Sequence, residues 1–465
     1  MSNTNNLGQG SVGKLLLRLA VPTITAQLVN ALYNVVDRIY IGHIPEVGKT
    51  ALTGVGVCMS LIMIISAFAA LTAMGGATQA SIHLGRGDKT QAEKILGNCV
   101  TGAVCSGLVL TVVLLLFSRP LLLAFGASQE TIGYAVEYMR VYALGTIFVE
   151  LALGLNAFIT AQGFASVAMV SVLIGAVGNI ILDAVFILVF DMGVAGAAWA
   201  TIISQGFSAV WVVCFLLGKR TGLRIRRENL AIRWPVYAPC LALGLSPFIM
   251  QATEGVITVC FNASLQKYGG DLAVGAMTIL SSVMQFSMLP LQGLTQGAQP
   301  IVSYNFGAGN GGRVKKAFRL LLVSCLVYST LLWAMAMGIP ESIGRIFTDD
   351  RELIAYSAQA MRVYMAVALV FGAQIACQQT FIALGNAKVS LFLAVLRKII
   401  LLIPLIFLLP LFFTTNQEKT MAVFLAEPVA DALAVLTTVC TFAVLFRKTL
   451  RKLEGDQHET GKPDF

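Results

Sequence analysis

Apolar residues run through this chain in blocks, and twelve of them reach the roughly 20 residues that a helix needs to cross a bilayer. They lie near 17–41, 51–82, 96–117, 133–157, 167–190, 193–217, 238–265, 273–303, 317–339, 354–379, 389–413 and 421–446. Short polar turns separate them, among them GRGD at Gly85–Asp88 and GAGN at Gly307–Asn310. The pattern predicts an all-α polytopic membrane protein of twelve transmembrane helices. One block is unusual. In QLVNALYNVVDRIYIGH, from Gln27 to His43, the spacing puts Gln27, Asn30, Asn34 and Asp37 on one face of a helix. Tyr33 reads as packing on another part of that helix.

A second pattern lies on top of the first. Shifting the chain by 222 residues places MRVY at Met139–Tyr142 on MRVY at Met361–Tyr364. The same shift matches Ala161, Gly163 and Ala165 to Ala383, Gly385 and Ala387, and Gly85 and Gly87 to Gly307 and Gly309. Six spans separate equivalent positions. An even number keeps the two halves parallel, related by an axis along the membrane normal. The expected organisation is an N-terminal six-helix lobe at 1–217, a basic cytoplasmic linker at 218–237, a C-terminal six-helix lobe at 238–446 and a cytoplasmic tail at 447–465.

Composition agrees with a membrane protein: 57% of the 465 residues are hydrophobic, 12% are charged and the mean hydropathy is +0.81. Charge then orients the chain, because cytoplasmic loops hold the excess of Lys and Arg. With both termini inside, only Lys49, Arg119, Lys267, Arg345, Arg351 and Lys419 fall in external loops. The linker KRTGLRIRRENLAIRW and the tail RKTLRK carry much of the net +9, which needs no nucleic-acid partner. The start MSNTNNLGQG is uncharged and polar, and with no cleavage site behind the first apolar block that first span reads as an anchor that is kept.

Soluble-enzyme chemistry finds little support. Nine scattered cysteines without a CxxC look like packing residues, and His43, His83 and His458 stand too far apart for a metal site. GHIPEVGKT at Gly42–Thr50 has five residues between its glycines where a phosphate-binding loop has four. GAGNGG at Gly307–Gly312 is a turn between spans. No His/Cys/Asp cluster or nucleophile–base arrangement is visible, so the reading is of a non-enzyme without cofactor.

The polar residues inside the spans are more informative. A carboxylate near the centre of a transmembrane helix costs on the order of 3 kcal/mol, so it persists facing protein or a wet cavity. Asp37, Glu150, Asp183, Glu254, Glu427 and Asp431 qualify. Asp37 and Asp183 fall at similar depth in the outer part of the first and fifth spans, and Asn179 lies one turn before Asp183. Gln27, Asn30 and Asn34 read either as lumen-lining groups or as interhelical hydrogen bonders. Glu427 and Asp431 are one turn apart, and Arg397 and Lys398 lie at similar depth in the preceding span, so these four predict a buried charge network. Glu150 has no assigned role.

Several motifs then combine: Pro22 and Asp37 fifteen residues apart, LYNVVDRIYIG in the first span, GNIILDAVFI in the fifth, GVAGAAWAT opening the sixth and AEPVAD in the twelfth. Together, over about residues 14–447, they resemble the multidrug and toxic compound extrusion (MATE) family, in particular its MepA-like branch. The resemblance implies two six-helix lobes in a V, and export of drugs or metabolites in exchange for protons or sodium. It implies that Asp37, Asn179 and Asp183 form the ion-coupling site, able to hold a proton or sodium. Glu254, seven residues after Pro247, lies near where NorM-like relatives carry a glutamate, and is read as a substrate or cavity group. The expected protein is a monomer in a bacterial plasma membrane that takes small lipophilic cations, drawn to carboxylates and aromatic faces. The rival reading is a lipid-linked sugar or lipid flippase of the wider superfamily, against which two missing spans and the acidic interior weigh.

Overall fold

The computed structural model describes the backbone over residues 7–44 and 47–460, and side chains at all of these except 49 and 454–460. The expected external charge at Lys49, and His458 and the rest of the tail from 454 onward, lie outside the described residues.

The chain is built from long helices. In order these are α1 (Val12–Gly42), α2 (Thr50–Gly85), α3 (Lys89–Ala124), α4 (Ile132–Leu144 with Thr146–Ala161), α5 (Ala165–Val189), α6 (Gly193–Leu217), α7 (234–269), α8 (271–307), α9 (Gly311–Gly338), α10 (Arg351–Tyr364 with Ala368–Ala383), α11 (Ala387–Phe412) and α12 (Asn416–Leu453). The stretch Trp234–Gly307 would reach about 110 Å if straight, at about 1.5 Å per residue, far beyond the ~30 Å core of a bilayer. Gly270 breaks it, with φ 64° and ψ −157°. Such a φ is cheap for glycine alone. With that break, and with α4 and α10 each bent, by 59° and 50°, the spans number twelve.

The repeat is visible in the turns. Gly87 and Gly309 are both left-handed, at φ 80° and 76°, and so are Gly163 and Gly385, at 87° and 75°. The residues following the first pair cap the next helix in the same way: Asp88 accepts from Gln91 N–H and Asn310 from Arg313 N–H, each at 3.0 Å. Both caps satisfy an amide that would otherwise lack a partner at the helix start. The bends of α4 and α10 also correspond. Helices α1–α6 and α7–α12 form two parallel six-helix lobes.

Lipid offers no hydrophobic drive between helices, so close backbone approach through small residues holds them together. The lobe junction shows this. A side chain on Gly85 of α2 would run into the Tyr304 carbonyl of α8, and one on Gly307 of α8 into the Ile82 carbonyl of α2. These contacts exchange under the 222-residue shift, as a self-complementary interface about a twofold axis requires. Nearby, Thr23 Oγ1 donates to the Gly293 carbonyl at 2.5 Å, Gln27 Nε2 to Gln296 Oε1 at 3.1 Å, and Gln299 Nε2 to Thr78 Oγ1. Leu16, Leu19 and Ala20 of α1 share one buried cluster with Leu291, Ala298 and Ile301 of α8. Arg313 fastens the start of the chain to the C-terminal lobe through the carbonyls of Gly10, Leu7 and Gln9, at 2.7, 3.1 and 3.2 Å.

All of these contacts gather toward the end that bears the termini. Beyond Gln27, α1 packs along α5 within its own lobe, while α2 and α7 stay close further from that end, where Phe68 meets Phe248 at 5.1 Å and Gly255 lies against Ser60 and Phe125. Residues 218–237 lie back on the N-terminal lobe: Arg226 Nε donates to Glu93 at 2.6 Å, Arg233 N–H to Asn98 Oδ1 at 2.6 Å and Leu223 N–H to Gln162 Oε1 at 2.8 Å.

Candidate functional site

Two groups of polar side chains lie inside the lobes. The N-terminal group forms where α1, α5, α6 and the first segment of α4 meet. Asp37 of α1 and Asn179 and Asp183 of α5 are all buried. Asn179 Nδ2 donates to Thr201 Oγ1 of α6 at 3.4 Å, and that hydroxyl donates to the Ala197 carbonyl at 3.0 Å. The carboxyl groups of Asp37 and Asp183 lie close enough to act on each other. Regular α-helix ends at Asp183, and Ala184–Val189 continues as a wider π-turn. Such turns interrupt the usual ladder and recur at functional sites.

This site is an excess of acceptors. Asp37 Oδ1, Asn179 Oδ1 and both oxygens of Asp183 are buried with no donor among the described residues. Two carboxylates this close and away from water repel strongly, and a proton shared between them or a cation held by their oxygens removes the repulsion. Asp37 makes no ion pair with Arg38 among the described residues, and Arg38 points to the exposed side of α1. Three phenols lie near the site. Tyr138 lies beside Thr201, Tyr142 stacks on Tyr138 at 6.0 Å, and Tyr33 stands beside Asn34 and Gln205, with Tyr138 and Tyr33 both within electrostatic reach of Asp37. On sequence Tyr33 reads as packing, yet it is four residues before Asp37, and that spacing alone places both on one face. Thr201 was available as well, since it closes the GVAGAAWAT motif.

The polar stripe of α1 divides along its length. Gln27 bridges the lobes through Gln296. Asn34 Nδ2 donates back to the Asn30 carbonyl at 2.6 Å, so this amide serves its own helix, and Asn30 is half-buried beside it. Only Asp37 enters the acidic site.

The C-terminal group is organised by α11. Its Leu396–Leu402 segment is another π-turn, and it carries two successive cations to different neighbours. Arg397 turns to α12, where Nε donates to Asp431 at 2.6 Å and Nη2 to Glu427 at 3.0 Å, with its guanidinium 4.6 Å from the centre of the Phe371 ring. Lys398 turns to α7, where Nζ meets Glu254 at 2.6 Å. The sequence reading closes Arg397, Lys398, Glu427 and Asp431 on themselves; in the structure Lys398 pairs with Glu254 instead, which joins the expected cavity group to the charge network. Lys398 is 7% exposed at its side chain and Glu254 49%. The carboxylate is thus tethered on one side and open on the other. The group counts three carboxylates against two cations.

A family model described as MatE matches residues 22–185 and 247–408, one block in each lobe. Over 438 residues the chain is 24% identical to a multidrug export protein MepA of Staphylococcus haemolyticus, covering 94% of this chain and 93% of the relative. The structure of the MATE multidrug transporter DinF-BH superposes with a TM-score of 0.87 at 33% identity, covering 96% of this chain and 98% of that one. An outward-facing multidrug resistance MATE family transporter of the MOP superfamily shares the fold, with a TM-score of 0.86 at 21% identity and coverage of 96% and 99%. Matched in both lobes and along nearly its full length, the chain belongs to the MatE family, the MATE transporters that its motifs resemble.

Proposed function

We propose that the chain exports small lipophilic cations, drugs among them, by alternating access, in exchange for protons or sodium that enter at Asp37 and Asp183. The observation that carries this reading is the buried pair of carboxyl groups, surrounded by oxygen acceptors and supplied with no basic partner among the described residues. Export is supported by the relatives, named as multidrug export proteins. The Lys and Arg pattern supports both termini in the cytoplasm of a bacterial cell.

The residues suggest how coupling would run. A proton or sodium ion neutralises the acidic pair and lets α1 close on α5. Its departure restores the repulsion and pushes the outer half of α1 away. The inner half of α1 is packed on α8 of the other lobe, so a change at Asp37 reaches the lobe junction. Pro22 lies at that junction and lacks the N–H that would stiffen the helix there. On the opposite arm, Glu254 offers the cleft a carboxylate for a cationic substrate, and Lys398 holds it when none is bound. The experiment is substrate movement in proteoliposomes under an imposed proton gradient and, separately, an imposed sodium gradient. One gradient is expected to drive export; movement indifferent to both would exclude antiport.

A further inference from the structure

Of the six acidic side chains singled out within the spans, five belong to the two groups above. The sixth, Glu150 of α4, belongs to neither. It is 0% exposed. Ser106 of α3 donates to Oε2 at 2.9 Å, Oε1 has no donor among the described residues, and the Thr72 hydroxyl of α2 stands beside the group. Thr72 lies in a π-turn, Ala70–Met74.

No charged side chain among the described residues faces Glu150 from the helices packed around it. On α3 the nearest charges, Lys94 and Arg119, are about 18 and 20 Å along the helix from Ser106, at about 1.5 Å per residue. Arg140 lies on the other segment of α4, ten residues earlier and beyond its bend. Helix α6 carries no charge, α2 has only His83 at its far end, and the acid of α5, Asp183, lies with Asp37. From α7 the group within electrostatic reach is the phenol of Tyr237. The described residues hold no cluster of three or more His, Cys, Asp or Glu that would suit a metal ion. A buried carboxylate without a counter-charge is strongly disfavoured, and a single hydrogen bond to a charged group returns only part of that cost. The neutral acid, with its proton on one of the two oxygens, is the form this pocket accommodates.

Its position gives that proton a use. Tyr142, on the segment of α4 before the bend, is within electrostatic reach of Glu150, and it stacks on Tyr138, which is within electrostatic reach of Asp37. Tyr237, near the start of α7, lies on the side of the termini. We propose that Glu150 is a second proton site of the N-terminal lobe, inward of Asp37 and Asp183, which receives the proton brought in by that pair and releases it toward the end that bears the termini. This rests on the reading of a proton as the coupling ion. In the transfer, the Glu150 acid first releases its proton toward the end that bears the termini, and the carboxylate so formed takes up the proton of the acidic pair, whose acid returns to carboxylate. Charge and protons balance, and no further reactant is needed.

Infrared difference spectroscopy reads the proton directly. In an Asp37→Asn/Asp183→Asn background, a carbonyl stretch of a buried carboxylic acid is expected to remain and to vanish when Glu150→Gln is added. A spectrum that Glu150→Gln leaves unchanged would overturn the proposal. In proteoliposomes, Glu150→Gln is expected to lower proton-driven export at least tenfold while substrate counterflow at equal pH continues. Wild-type proton-driven export in Glu150→Gln, alongside its loss in Asp37→Asn, would overturn this inference alone; wild-type export in both would overturn the coupling reading as well. Should Glu150→Gln fail to reach the membrane, Ser106→Ala removes the donor to Oε2 and is expected to move the acid carbonyl band to higher frequency. An unmoved band would count against the proposal.

Discussion

Replacing Arg397 by Met tests whether the C-terminal charge group is as tightly balanced as its geometry implies. The guanidinium makes two short contacts, 2.6 Å to Asp431 and 3.0 Å to Glu427, and all three side chains are less than 10% exposed. Hydrogen bonds to charged groups contribute roughly 1.5–3 kcal/mol each. Removing one partner of a buried pair, which leaves the others uncompensated, typically costs about 3–5 kcal/mol. The two lines of argument agree, so Arg397→Met is expected to lose about 3–5 kcal/mol of stability. Met keeps much of the length and apolar bulk of the stem, which limits the cavity contribution. The triple variant Arg397→Met/Glu427→Gln/Asp431→Asn removes the carboxylates too, and is expected to recover most of the loss. Thermal unfolding of detergent-purified protein, followed by the fraction remaining monodisperse, provides the measurement. As a comparison, Arg226→Met breaks the pair with Glu93, in which Arg226 is half exposed, and a loss near 1 kcal/mol or less is expected. If Arg397→Met unfolds with the wild type, or the triple variant is no better than the single one, the charge-balance argument is wrong.

Three further outcomes follow from the geometry. Glu254→Gln leaves Lys398 without its anion and adds a positive charge beside the cleft, so KM for cationic substrates is expected to rise about tenfold, equivalent to 1.4 kcal/mol; equal loss for neutral and cationic compounds would remove Glu254 from substrate binding. Gly85→Val or Gly307→Val places a side chain against the backbone of the other lobe, and is expected to reduce transport of all substrates while leaving the amount of protein in the membrane unchanged; normal turnover in both would show that the lobes need not approach so closely. Single cysteines at Asp88 and Arg226, in a background without native thiols, are expected to resist an impermeant reagent applied to sealed right-side-out cells, and ready labelling would reverse the orientation.

The spans and the repeat were legible because both rest on signals that survive without tertiary information. Runs of apolar residues are set by bilayer thickness, and MRVY at Met139 and Met361 is a direct identity. Asp37, Asn179 and Asp183 could be placed near one another from depth alone, since their helices run in known directions. The partner of Lys398 could not. A wheel of 100° per residue assumes an unbroken helix, and the π-turn at Leu396–Leu402 changes where Arg397 and Lys398 point. The same limit applies at Thr72 and beyond Asp183, where an extra residue per turn leaves no mark on composition. Tyr33 differs, because its four-residue spacing to Asp37 is readable without any structure. Gln27 shows the converse. It shares a face with Asp37 on the wheel, but it lies where α1 meets the other lobe, and the wheel holds no information on which helix lies opposite.

The central claim is that Asp37 and Asp183 act as one coupling site, and a double-mutant cycle on driven export tests it most directly. Wild type, Asp37→Asn, Asp183→Asn and the double variant would be reconstituted at equal density, and initial rates of substrate export measured under the gradient that drives the wild type, with substrate binding measured separately. Each amide keeps the size of the side chain and removes the acid. Each single variant is expected to bind substrate and to lose at least tenfold in driven export, a cost of about 1.4 kcal/mol or more, and the double variant to be little worse than Asp37→Asn alone. Export by Asp37→Asn at the wild-type rate, or losses that simply multiply in the double variant, would contradict a shared site.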